Sequence, residues 1–551
     1  MEVLSSDRES TRATTFLGVR IGMLYGVAVL LVSMLAPKAA LGLTRSVDGS
    51  NGSCNDGTGI PVYCTIQAAI DAAAASDTIL VAAGTYAENL ILTKQLTLQG
   101  AQAVVGACNR SASETVVTAA GTVLALQTGS AGSIIDGFTF SGGNLGIETQ
   151  SGPIDSLQLL NNRIVGFTGS GIFLNDSGID VTVSGNEVDG SSQSASGAVF
   201  HLDQDNFDGL HVTSNCILNG GTRTGLFVDG NHTIGISASR SPTIDGNLFR
   251  GNATGANLGR FAFEFGTISD NVFANNGFDG LQGGIQNSSI TRNRFIDNGR
   301  SGLALTGFGG SGDATRGAKD NTISQNCFIR NLSEGVFFSS SQFPGTIATN
   351  TLNQNNIFGN AAGAAYSGSE GINAENNWWG CATGANTAGC DTTTGTGAAN
   401  IDTVPFQVDF VPTSACCAAD ANCDDSLICN GSETCDPMSN TCGAGTPPVC
   451  GLGGADPQCN SPACVDPGGC TVQPLPDNTS CDDGVFCSLP DSCQSGVCVA
   501  QGGGDFNNNG ICDADDPYRP APTASGWGLV SLCALLMTLA YRGLRRTSDG
   551  R

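Results

Sequence analysis

The sequence predicts an all-β protein whose main body is a right-handed parallel β-helix solenoid. Three observations predict it: a short phrase that returns through the middle of the chain, brief alternating apolar runs split by turn residues, and abundant glycine. The phrase is Asn, any residue, then Ile, Val, Phe or Trp. It reads Asn162-Arg163-Ile164, Asn186-Glu187-Val188, Asn215-Cys216-Ile217, Asn247-Leu248-Phe249 and Asn271-Val272-Phe273. It continues as Asn293-Arg294-Phe295, Asn326-Cys327-Phe328, Asn355-Asn356-Ile357 and Asn376-Asn377-Trp378, with Asp136-Gly137-Phe138 as a first member. Intervals run from 21 to 33 residues, the spacing of solenoid repeats.

Between these lie Gly171-Ile172-Phe173-Leu174, Gly225-Leu226-Phe227-Val228, Gly302-Leu303-Ala304-Leu305 and Gly335-Val336-Phe337-Phe338. Each repeat therefore offers two or three short strands and no helical period of useful length. One coil cannot bury its own apolar face, so the coils must stack and pair their strands in parallel. The recurring Asn is expected at an inward corner, bonding the backbone and the Asn of the next coil, and itself taking the left-handed conformation. Extra residues are expected in outer loops between Asn215 and Asn247 and between Asn293 and Asn326. The latter interval holds Gly309-Gly310-Ser311-Gly312.

Composition bounds the function. Of 551 residues, 77 are Gly, 23 are Lys or Arg, and the net charge is -26. A phosphate-binding surface needs clustered cations, so nucleic acid is excluded as a partner. The 23 cysteines and three histidines suit an oxidising compartment better than a set of zinc sites.

Both ends agree with export. Arg8, Arg12 and Arg20 precede an apolar run from Ile21 to Ala36, and small residues follow. That is the layout of a signal peptide, assigned to 1–42. At the other end Trp527 to Tyr541 is apolar and leads to Arg542, Arg545 and Arg546, a short transmembrane helix with basic residues on the cytoplasmic side. The tail 521–551 resembles the IPTL-CTERM and PEP-CTERM sorting signals of bacteria, departing from them at Ala521. That resemblance implies passage to the cell surface or outer envelope, with the tail anchored in the membrane or clipped.

Ahead of the repeats, Thr65 is a candidate N-cap, and Ile66, Ala69, Ile70 and Ala73 share one face of a short helix. The run Thr65-Ile66-Gln67-Ala68-Ala69-Ile70-Asp71-Ala72-Ala73, then Asp77-Thr78-Ile79-Leu80-Val81, Gly84-Thr85-Tyr86 and Leu96-Thr97-Leu98-Gln99-Gly100, resembles the start of the pectin-lyase-like superfamily. In that family the helix caps the open end of the β-helix. Asn376-Asn377-Trp378-Trp379-Gly380, with Val404-Pro405-Phe406 beyond it, resembles the closing coil of NosD-like, PbH1-repeat proteins. The resemblance spans 43–413 and speaks for fold more than for activity, since one fold hosts many functions.

Residues 414–500 form a different module. Fourteen cysteines fall between Cys416 and Cys498, and Cys423-Asp424-Asp425…Cys429 is echoed by Cys481-Asp482-Asp483…Cys487. So little apolar material requires disulfides, whose connectivity spacing does not reveal. Cys54 with Cys64 and Cys381 with Cys390 are expected local pairs at the ends of the β-helix. In the linker 501–520, Asp505, Asn507, Asn509, Gly510, Ile511, Asp513 and Asp516 occupy positions 1, 3, 5, 6, 7, 9 and 12 of a Ca²⁺ loop. The loop resembles thrombospondin type-3 and dockerin repeats. Asn at two ligand positions implies weak, extracellular-range affinity.

Catalytic signals are thin. His201, Asp203, Asp205, Asp208 and His211 form the best polar cluster. At a period of two, His201, Asp203 and Asp205 face outward together. With calcium they would hold a uronate, and Arg223 or Arg250 would serve as base for a β-elimination, as the resemblance to pectate lyases implies. A hydrolase would instead use two carboxylates, for instance Asp205 with Asp229 or Glu264. Trp378 and Trp379 are candidates for stacking on a sugar ring, or for closing the last coil. The plain alternative is that the polar cluster is a solvated outer face. Two functions stand: a monomeric, non-enzymatic surface protein that displays itself to or binds a polysaccharide or cell-surface glycan, and a lyase or hydrolase of acidic polysaccharide. A copper-cluster helper of the NosD kind is a third, for which the Cys-rich module has no use.

Overall fold

The computed structural model describes residues 42–500 apart from 58–60, 109, 176–177, 195–196, 204–206, 230–239, 307–317, 340–346, 413–415, 418–427, 437–440, 444, 467–468 and 485–489. The expected signal peptide as far as residue 41, the tail 521–551 and the expected calcium loop lie outside the described residues, as do Asp205 and the glycine-rich stretch after Thr306. Among the described residues no helix is long and apolar enough to cross a membrane.

Two units compose the chain. The first is a parallel β-helix. Each coil gives one strand to each of three sheets, which hold 15, 11 and 12 strands among the described residues. One coil is Gln158–Leu160, Arg163–Val165 and Ser170–Leu174; the next is Thr182–Ser184, Glu187–Asp189 and Ala198–Asp203. Their register is parallel throughout, Leu159 over Val183, Ile164 over Val188, Ile172 over Phe200. Equivalent side chains stack because every coil repeats the same inward positions. On the first sheet Ile244, Ile268 and Ile290 lie in line, fully or almost fully buried. On the second, Phe249, Phe273, Phe295 and Phe328 stack face to face at 4.8, 5.0 and 4.8 Å.

The glycine of the second phrase exists to make room for that stack. A Cβ on Gly280 would stand 2.9 Å from Phe273 Cβ and 2.7 Å from the Gly302 carbonyl. Gly255 and Gly302 face the same rings, which explains the recurring Gly ahead of the third-sheet strands.

The predicted asparagine ladder is present. Asn162, Asn186, Asn215, Asn247, Asn271, Asn293, Asn326, Asn355 and Asn377 are all buried. Along it each backbone N–H and Nδ2 donates to Oδ1 of the next coil's Asn, as Asn247 does to Asn271 at 2.9 and 2.8 Å. Nδ2 also reaches back to a carbonyl of the preceding coil, Val212 for Asn247 at 2.8 Å. Two details differ from expectation. The left-handed residue is the one before the ladder Asn, as at Ser214, Asp270, Arg292, Gln325 and Gln354. In the last coil the ladder residue is Asn377 and the inward residue Trp379, one place later than the phrase Asn376-Asn377-Trp378 suggests. A second ladder, Asn252, Asn276, Asn298, Asn331 and Asn360, ends on the Asp391 carboxylate.

The helix Ile66–Ala72 forms with Thr65 as N-cap and Ile66, Ala69 and Ile70 buried. Glu88 accepts the Ile66 and Gln67 N–H groups at 2.9 and 2.8 Å, placing an anion at the helix start. The expected disulfides Cys54–Cys64 and Cys381–Cys390 are made. Two more were not foreseen, Cys108–Cys216 and Cys327–Cys416.

The second unit is the cysteine-rich region. It holds an antiparallel pair, Asn460–Val465 with Gly469–Pro474, and a three-stranded antiparallel sheet containing Asp491–Gln494. Disulfides Cys429–Cys464, Cys450–Cys470, Cys459–Cys493 and Cys481–Cys498 tie it together. Its buried cluster is Cys459, Cys481 and Cys493, so sulfur takes the place of an aliphatic core.

Candidate glycan-binding face

The β-helix has three outer faces, one for each sheet. The second sheet is strapped at both ends. Near the first strap, Cys108 bonds Cys216, Ala107 N–H donates to the Gly185 carbonyl, and Arg110 donates to the Asn161 carbonyl at 2.7 Å. At the other end Cys416 bonds Cys327 and packs with Ile296 and Ile329. There Val411 and Asn356 exchange two 2.8 Å hydrogen bonds. The first sheet's outer row is Thr182, His211, Thr243, Thr267, Ser289 and Thr322 in register, mostly short polar side chains.

The third sheet is different. One outward row runs Glu148, Phe173, His201, Phe227, Asn257, Gln282, Ala304 and Phe337. The His201 ring lies 5.1 Å from Phe173 and 5.0 Å from Phe227, both tilted. Three coils thus present a continuous aromatic strip about two strand spacings long.

Further along the same sheet is a groove of about 650 Å³, bounded by Phe278, Gln282, Arg300, Thr306, Glu334 and Phe337. Phe278 is 56 % exposed, and the Arg300 guanidinium carbon sits 5.9 Å from its ring centre. Arg300 Nε donates to Asp279 Oδ1 at 2.8 Å, and Nη2 to Asp279 Oδ2. The buried Asp279 carboxylate holds the Arg300 guanidinium above its ordinary pKa. Glu334 accepts the Ser301 hydroxyl at 2.9 Å.

The structure divides the predicted polar cluster. His201 faces outward on the third sheet, as the alternation implied, whereas His211 is exposed on the first. Asp203 stands in backbone register with Asp229. Asp208 accepts the Arg240 N–H at 2.8 Å and so ties one turn to the next. Arg223 precedes the strand Thr224–Asp229, donates to the Ser194 carbonyl at 3.3 Å, and pairs its end of the strand with Ala198. Five residues of extended chain, roughly 16 Å, separate Ala198 from Asp203. Arg250 lies on the second sheet, on another face from Asp203. Glu264 ends the strand Ala256–Glu264 beside Gln286.

Trp379 is fully buried against Gly363 and offers no face to a ligand; it closes the core. Trp378 packs edge-on against Phe358 and Phe410 at 5.3 and 5.2 Å. The groove residues Phe278, Asp279, Arg300 and Glu334 were not singled out by sequence. The one signal for them was the coil period, which sets Asp279, Ser301 and Glu334 at matching places in successive coils.

A family profile described as "Right handed beta helix region" matches residues 198–379. No curated protein matches significantly. Solved structures that resemble the chain include the mannuronan C-5 epimerase AlgE4 A-module of Azotobacter vinelandii, at 18 % identity and a TM-score of 0.37, over 55 % of this chain and 93 % of that one. An alginate lyase from Paenibacillus sp. is similar at 13 % identity, TM-score 0.32, over 65 % and 98 %. The catalytic unit of an α-1,3-glucanase from Streptomyces thermodiastaticus is similar at 18 % identity, TM-score 0.33, over 67 % and 70 %. None of these matches bears on which chemistry this chain performs.

Proposed function

We propose that the chain is an exported, non-enzymatic surface protein whose third-sheet outer face binds a polysaccharide or cell-surface glycan. The observation that carries this is the outward aromatic row Phe173, His201 and Phe227, continued by the groove at Phe278 and Phe337. Half-buried aromatic rings set outward on a rigid sheet, with the exposed Phe278 beside them, match the apolar C–H faces of pyranose rings, and neighbouring polar groups take up hydroxyls. In this proposal the cysteine-rich region is a stalk. The linker at Asp505, Asn507, Asn509, Ile511, Asp513 and Asp516 binds Ca²⁺ weakly, and the tail holds the protein to a membrane or is removed.

A second reading, an acidic-polysaccharide lyase or hydrolase, is favoured by one feature. Asp203 and Asp229 lie in backbone register on neighbouring coils beside His201, and neighbouring strands are about 4.8 Å apart. The two readings separate in one experiment. The full chain is incubated with pectic, alginate and glycosaminoglycan polymers plus calcium, following unsaturated and reducing ends. Retained binding without product supports display. Product that disappears in Asp203→Ala or Asp205→Ala makes the protein an enzyme.

A further inference from the structure

We infer that the groove between Phe278 and Phe337 is a subsite for an uncharged pyranose and selects against uronic acids. This rests on the glycan-binding reading and narrows it. Among the described residues the charged groups at the groove are Asp279, Arg300 and Glu334. Asp279 is fully buried and accepts Arg300 Nε, Arg300 Nη2 and the Ser301 N–H. Arg300 spends two donors on Asp279 and shares Nη2 with Gln282 Oε1 at 3.3 Å. The two charges cancel, and the arginine is left as a planar cover over Phe278. Glu334 is a second carboxylate acting on the same Arg300, and among the described residues its side chain takes one hydrogen bond, from the neutral Ser301 hydroxyl at 2.9 Å. Among the described residues the groove therefore carries one net negative charge, Asp279 and Glu334 against Arg300, inside a chain of net charge -26.

The remaining features suit a neutral sugar. Phe337 lies between Ala304 and Ala365 in the outward row and is half-buried, one wall of the groove. Phe278 forms the opposite wall. The free Glu334 oxygen and the Gln282 amide complete a set of groups that bind hydroxyls. Among the described residues the one cation near Glu334 is Arg300, already engaged by Asp279, so a uronate would bring its carboxylate toward Glu334 without a cation of its own to meet. Like charges at contact distance near a protein surface are expected to weaken binding about tenfold or more.

The test uses the full chain in EDTA, so that no divalent ion bridges carboxylates. Cellohexaose, maltohexaose and mannohexaose are titrated calorimetrically beside hexagalacturonate and hexamannuronate. At least one neutral hexasaccharide is expected to bind, with both uronates about tenfold weaker or undetected. Phe278→Ala, at an exposed position, should weaken the neutral ligand severalfold without changing the circular dichroism. Glu334→Gln keeps an acceptor for Ser301 and should narrow the gap between neutral and uronate ligands. A uronate that binds as well as or better than every neutral sugar overturns the inference while leaving the glycan-binding reading intact. So does selectivity unmoved by both variants. Binding of no hexasaccharide brings down the glycan-binding reading itself.

Discussion

The asparagine ladder should be the most sensitive point in the β-helix, and Asn271 sits in its middle. Its Oδ1 accepts the Asn247 N–H at 2.9 Å and Asn247 Nδ2 at 2.8 Å. Its own Nδ2 donates to the Ile244 carbonyl at 2.8 Å and to Asn293 Oδ1 at 2.9 Å. All of this is out of reach of water. Asn271→Ala leaves the Asn247 N–H without its acceptor and takes the side-chain donor from the Ile244 carbonyl. Each buried polar group so stranded costs about 1–3 kcal/mol, so a loss of about 3 kcal/mol is expected. Asn271→Asp keeps the shape but turns an acceptor toward two acceptors, and should cost more than alanine at neutral pH. Thr267→Ala, on the exposed outer row of the first sheet, should stay within about 0.5 kcal/mol. Urea denaturation gives the stabilities, and native-state hydrogen exchange locates the damage. The amide of Asn247 should lose protection first, with neighbouring coils following because each contacts only its neighbours. An Asn271→Ala protein as stable as Thr267→Ala, with Asn247 still protected, would refute the reasoning.

Other consequences follow from the same contacts. Gly280→Ala drives a Cβ into the Gly302 carbonyl and Phe273, and should cost about 1–3 kcal/mol in urea denaturation. Burial pushes the Asp391 carboxyl above its ordinary value despite the Asn360 and Gly359 donors. A raised folded-state pKa favours folding below the unfolded value near 3.8, and that contribution is lost as pH rises through the folded value. Asp391→Asn has no charge to bury, so its stability relative to the parent should improve between about pH 3 and pH 7, measured by thermal melts across that range. For the linker, calorimetry of the calcium-stripped full chain should show binding in roughly the millimolar range, lost in Asp505→Ala.

The fold was largely legible because a solenoid must repeat what it buries. Asn271 and Phe273 recur one coil later as Asn293 and Phe295, and the inward positions were read from that recurrence alone. The left-handed turn was misplaced by one residue because both Asn and its predecessor are small or polar at several corners, as in Asn161-Asn162. The double Asn and double Trp at 376–379 allowed two registers, and only the ladder bond from Asn355 to Asn377 selects one. The second ladder has its own signal in the sequence: Asn252, Asn276, Asn298, Asn331 and Asn360 each follow a first-ladder Asn by five residues.

The candidate site was less legible, for a geometric reason. Phe278, Arg300 and Glu334 come from three coils, and their meeting depends on how each coil's loops set the register between neighbours. Cys108 and Cys216 are separated by 108 residues, and nothing local to either announces the pair. Conversely, His201 and His211 are close in sequence but a corner places them on different sheets.

The central claim is that glycans are held on the outer face of the third sheet. Hydroxyl-radical footprinting of the full chain, with and without a bound polysaccharide, tests it most directly. The account predicts protection of Phe173, Phe227, Phe278 and Phe337, and unchanged oxidation of Leu80 on the first sheet. Protection of Leu80 or of second-sheet residues, with the four phenylalanines unaffected, would contradict it.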